Sequence, residues 1–172
     1  MQTLPEETDL TNLPDPIRIL SSGSIGTSFM TLFSHLVSES EQEQFREPEL
    51  LAKLIENLHA NIKKEYAQSA GWVLHYLVGY MFAMIYQHVW KHTGTKPGFA
   101  SGLVLGGISG VLAIAVWNTV FRLHPDPPRI DFKKYYIQLF IAHLVFGVTA
   151  AMGYPLKKNI PLFTGSLPRS KE

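Results

Sequence analysis

Residues 98–121 read GFASGLVLGGISGVLAIAVWNTVF, a run without Asp, Glu, Lys or Arg in which Asn118 is the only strongly polar side chain. At 1.5 Å per residue, a helix of this length covers the roughly 30 Å of a bilayer's hydrocarbon. Three further stretches free of those four residue types flank it, at 19–38, 66–90 and 135–156. Any one of them is compatible with the core helix of a soluble protein. Four in a chain of 172 residues leave no amphipathic scaffold to bury them. The pattern predicts an all-α integral membrane protein, a four-helix bundle with spans at 19–38, 67–90, 98–121 and 135–154. The first is the most dilute, with many Ser and Thr residues and His35.

Composition narrows the function. Lys and Arg total 15 against 14 Asp and Glu, so the net charge of +1 is too small to hold a phosphate backbone, and nucleic acid is not expected as a general partner. The absence of cysteine removes disulfides, thiolate nucleophiles and zinc-finger geometry together. A mean hydropathy of +0.06 hides strong segregation of the charges into the segments between the apolar runs. No Ser-His-Asp order, no paired intramembrane carboxylates and no His-Glu-x-x-His motif are present, so the reading is of a non-enzyme with no cofactor.

The polar segments are an N-terminal tail over 1–17, a connector before the second span, a proline-rich connection over 122–134 and a C-terminal tail over 157–172. The acidic, proline-bearing start matches neither a signal peptide nor a transit peptide, which keeps the first span in the mature protein. In the connector, Leu51, Leu54, Ile55, Leu58 and Ile62 share one face, which predicts an amphipathic interfacial helix over 47–65. Asp126 and Asp131 in the proline-rich connection read as solvated turn residues. Trp72, Trp90, Tyr135, Tyr136 and Tyr154 stand at span ends, the places of an aromatic belt. Lys and Arg are balanced between the two sides, so orientation stays open.

Aligning the second and fourth spans on their histidines pairs His75 with His143, Gly79 with Gly147, Ala83 with Ala151, Met84 with Met152 and Tyr86 with Tyr154. The first and third spans share a weaker Gly-x-x-Gly match. This predicts an internal repeat, two like-oriented helical hairpins related by an axis along the membrane normal. Small residues recur every four positions, as Gly98, Gly102, Gly106 and Gly110 in the third span, with Gly23, Gly79 and Gly147 on the others. Such ladders let helix backbones approach closely where lipid supplies no hydrophobic drive.

His75 and His143 fall at matching depth, roughly 10 to 15 Å into their helices from the nearest charges. His35 and Asn118, near the ends of oppositely running spans, point to the same half of the bilayer. These four residues form the candidate intramembrane polar site. Neutral histidine serves as an interhelical hydrogen bonder, as a proton carrier, or as one of a pair of haem or metal ligands. His88 and His92, four residues apart at the end of the second span, read as an interfacial cap.

The run His75-x-x-x-Gly79-x-x-Phe82-Ala83-x-x-Tyr86, the glycine-rich third span, the proline-rich connection and Ala142-His143-Leu144-Val145 together resemble the YagU-type uncharacterised inner-membrane proteins. The resemblance covers about 72–147. It implies a multi-pass protein of the bacterial inner (plasma) membrane, and an association with acid resistance, without carrying over any catalytic residue. The expected function is movement of protons or a small solute through the histidine-lined site. The alternatives are a non-catalytic structural or partner-binding membrane subunit, and a haem or metal carrier. The expected partners are the lipid bilayer and a second copy or another membrane protein.

Overall fold

The computed structural model describes residues 16–58 and 61–154, and all regular structure in them is helical. Five helices follow in order: α1 (Pro16–Glu41), α2 (Glu47–Leu58), α3 (Lys64–Thr93), α4 (Phe99–Leu123) and α5 (Phe132–Gly153). Apart from residues 16 and 17, the two expected polar tails lie outside the described residues. Among the described helices, α4 and α5 are long and apolar enough to cross a membrane. α1 and α3, of 26 and 30 residues, have the length, but Ser, Thr, His and Gln dilute their hydropathy.

The single helix expected over 47–65 is a correction. α2 ends at Leu58 and the next helix starts at Lys64, so Ile62 and Lys63 sit in the turn between two helices rather than on one amphipathic face. α3 thereby begins three residues before the expected span. Lys63, in extended conformation, precedes its first turn, and Gly94 ends it at φ 66°, a left-handed position that suits glycine.

The long helices pack in the spatial order α4, α5, α1, α3, with α2 laid along α3. Three close seams result, and each rests on small residues. On α4 against α5, a methyl group on Gly102 would lie 2.9 Å from Val148 Cα, and one on Gly106 would lie 3.0 Å from Leu144 Cα. On α1 against α3, Gly79 lies against the Thr27 side chain and Gly23 against Tyr80. Gly26 makes room for Phe146 and Ala150 of α5, and Gly71 lets α3 approach the backbone of α2 at Pro48 and Ala52. Gly98 departs from the expected ladder: it stands before the first turn of α4, where an added methyl group would meet nothing within 4 Å, because the helix seam starts one turn later.

Two equivalent hairpins would match the α1–α5 seam with a similar seam between α4 and α3. Instead, α3 and α4 stand apart over most of their length and meet through the buried hydrogen bond of Tyr86 with Ser109, at 2.6 Å.

Asp131 starts α5. Its Oδ1 accepts from the backbone N–H of Lys133 at 3.0 Å and of Lys134 at 3.1 Å, which satisfies two amides that a helix start leaves unpaired. It is a helix cap and not merely a solvated turn residue. Asp131→Ala lowers stability by about 1 kcal/mol, read as a drop in the thermal midpoint in mild detergent. The preceding loop docks on α2, where Asn57 donates to the Asp126 carbonyl at 2.7 Å and His124 Nε2 donates to the Leu54 carbonyl at 3.0 Å.

Candidate functional site

The space left between α3 and α4 is a cavity of about 240 Å³. α1 and α5 form its floor through Thr27, Met30, His143 and Phe146, and α2 closes one end with Glu47 and Leu51. α3 contributes His75, Val78, Gly79, Met81 and Phe82, and α4 contributes Leu112, Ala113, Val116 and Trp117. Val78, Met81, Leu112 and Val116 are exposed on the outer surface, so the cavity opens sideways between α3 and α4. Its walls are apolar and its polar groups lie deep, with Thr27 1%, Glu47 2%, His143 4% and His75 7% exposed.

Of the four residues predicted to form the polar site, the structure brings two together. His75 and His143 both line the cavity. His35 is exposed at the end of α1, where its Nδ1 meets the Arg46 guanidinium at 3.2 Å. Asn118 lies outside the cavity lining and accepts a long hydrogen bond from the Tyr136 hydroxyl at 3.5 Å. Both stand in the right half of their helices but on the wrong face, since depth along a helix says nothing about its rotation. His88 and His92 are exposed and lie beside each other with tilted rings whose centroids are 3.9 Å apart.

Hydrogen bonding fixes the tautomers of the two buried imidazoles. The Thr31 hydroxyl has one proton and gives it to the Thr27 carbonyl at 2.7 Å, so the 2.9 Å contact between Thr31 Oγ1 and His75 Nε2 is donated by the histidine. His143 Nδ1 donates to the Leu139 carbonyl at 2.9 Å. Each neutral ring therefore keeps one unprotonated nitrogen, Nδ1 of His75 and Nε2 of His143. The Phe82 ring stands edge-on to His143 at 5.9 Å and holds it against α5.

Glu47 is a buried cavity-lining carboxyl that sequence reasoning missed. It opens α2 just before Pro48, the ordinary place for a solvated acidic residue in a first helical turn. In the fold, Oε1 accepts from Ser34 of α1 at 3.0 Å and Gln138 of α5 donates to Ser34 at 2.6 Å. Glu47 Oε2, Gln138 Oε1 and the Tyr135 hydroxyl have no hydrogen-bond partner among the described residues. Burial pushes the Glu47 carboxyl up to about 7, against the partial relief its hydrogen bonds provide. The residue types alone held one hint, since Gln138 and Ser34 are polar residues inside apolar runs and need a partner.

No group of three or more His, Cys, Asp or Glu side chains converges on a metal-sized site among the described residues. No family model, curated protein or solved structure matches the chain.

Proposed function

We propose that this chain is a multi-pass membrane protein, with α1, α3, α4 and α5 crossing the bilayer as two related hairpins, and that the cavity between α3 and α4 carries a proton-exchanging site. The observation that supports the bilayer setting is the inverted polarity of the fold. Phe29 and Leu32 of α1, Leu77 and Met84 of α3, Val104 and Ile108 of α4, and Ile137 and Ile141 of α5 face outward, while Ser22, Thr27, Ser34, Gln87, Ser109 and Gln138 are buried. An apolar surface of this extent on every long helix is stable against lipid and not against water. The presence of His75 and His143 in one cavity and their match in sequence support a relation between the hairpins, whose packing is nonetheless not equivalent because α3 and α4 stand apart. The resemblance of 72–147 to the YagU-type proteins implies the same setting.

Protons are the natural cargo for such a site. Two imidazoles each offer a free lone pair, and a carboxyl that titrates near 7 stands at the cavity end that α2 closes. Glu47 is thus the exchange group nearest the interface, with His75 and His143 deeper. A partner-binding subunit in which the histidines only tie helices together is the rival reading; of the haem or metal carrier alternative, a bare metal ion has less support because no third ligand converges on the pair among the described residues.

Proton flux in proteoliposomes tests the proposal. The native protein conducts protons down an imposed pH gradient, and both Glu47→Gln and the double variant His75→Leu, His143→Leu fall to the level of empty vesicles while eluting as folded protein in size-exclusion chromatography. Native vesicles that leak no faster than empty ones overturn the proposal and leave the histidines as interhelical hydrogen-bond donors.

A further inference from the structure

The cavity's shape and its hydrogen-bond inventory narrow the molecule that can occupy it. Three aromatic rings, Phe82, Trp117 and Phe146, form part of its wall, and Phe82 already meets Phe146 edge-to-face at 6.3 Å. A further ring completes such a cluster with favourable edge and face contacts. An apolar cavity of about 150 Å³ holds benzene, so about 240 Å³ admits a substituted ring. The sideways opening past Met81 and Val116 leads to the surface that lipid covers in the membrane reading, on which this inference rests.

The polar end is equally selective. His75 Nε2–H is used by Thr31 and His143 Nδ1–H by the Leu139 carbonyl, so both imidazoles present lone pairs only. An occupant whose oxygens only accept, such as an ester or a quinone, would set lone pair against lone pair at both rings. A hydroxyl donates to an imidazole nitrogen and still accepts through its own oxygen. Thr27 Oγ1 and Glu47 Oε2, both buried in the lining and without a partner among the described residues, supply the complementary groups.

We propose that the cavity binds a membrane-dissolved phenol- or quinol-type amphiphile, with its hydroxylated ring against His75, His143 and Glu47 and its apolar tail leaving between α3 and α4.

The test uses the full chain in lipid nanodiscs with two probes of the same shape, 4-octylphenol and octylbenzene, titrated by calorimetry. The phenol binds saturably and roughly tenfold or more tightly, because its hydroxyl fills acceptors that octylbenzene leaves empty. In His143→Leu that preference shrinks to near unity. Should that variant not fold, the native protein still decides the matter, since a phenol carrying a photoreactive group on its tail labels residues of α3 and α4 flanking the opening. Equal affinity for the two probes, no binding, or labelling spread over all outer helix faces overturns the proposal. Flux is measured without any ligand, so lost flux with retained phenol preference sinks the proton reading alone. Intact flux with indifference to the hydroxyl sinks this inference alone.

Discussion

Gly147→Val loses about 3 kcal/mol or more of stability and unfolds at markedly lower temperature in mild detergent, because overpacking a backbone-to-backbone seam cannot be relieved by moving a side chain. A Cβ at this position would lie 2.7 Å from Gly106 Cα and 2.8 Å from Gly106 N, and closer still to the Gly102 carbonyl. All three are backbone atoms of α4 and none can swing aside. The helix must move as a body, and it takes with it Ala113, Val116 and Trp117, one wall of the cavity. Ligand preference and flux therefore fall together with stability. Gly98→Ala is the control: with open space around that α-carbon and an extended φ of 177°, its midpoint stays within about 0.5 kcal/mol of native. Equal midpoints for Gly147→Val and the native protein would mean that the α4–α5 seam does not run backbone to backbone.

The second large effect is a pH dependence that Glu47 creates. Its carboxyl has an ordinary value of 4.5 in the unfolded chain and is pushed up to about 7 by burial in the fold. Between those values the native state holds a proton that the unfolded state has released. Stability from this group is complete below about 4.5 and is lost as pH rises through about 7, a loss on the order of 3 kcal/mol. Tyr135 of α5 lies close enough to interact electrostatically with it, Ser34 of α1 and Gln138 of α5 hydrogen-bond it, and His75 and His143 line the same cavity. His75 and His143 are present in both native protein and variant, so the difference between the two curves reports Glu47. Thermal midpoints measured from pH 4 to pH 8 fall more steeply for the native protein than for Glu47→Gln, which keeps the hydrogen-bonding shape without the charge. Parallel curves would show that the Glu47 carboxyl keeps its ordinary value in the fold.

Much of the helical architecture is legible in the residues themselves. Gly102, Gly106 and Gly147 could be placed on a packing seam because a four-residue spacing of small side chains has few other uses inside apolar runs. His75 and His143 could be paired because two rare residues recur at the same offset from a glycine. The same local reasoning placed His35 and Asn118 beside them, and failed, because a residue's depth follows from counting while its facing depends on how the helix is rotated against its neighbours. It also took Glu47 for a solvated first-turn acid. Nothing local to QFREPELL separates an exposed glutamate from one enclosed by Ser34, Tyr135 and Gln138, which lie 13, 88 and 91 residues away in the chain.

By itself the sequence determined the all-helical class, the apolar length of α4 and α5, the small-residue seams and the segregation of charge into the connections, since each follows from periodicity and composition within a single segment. Tertiary structure alone decided that α2 stops at Leu58, that α3 and α4 stand apart where two equal hairpins would close, and that one carboxyl and two imidazoles share the resulting space. Burial is a property of the assembled helices: a cavity exists only where faces from separate segments fail to meet, and no segment encodes that failure alone.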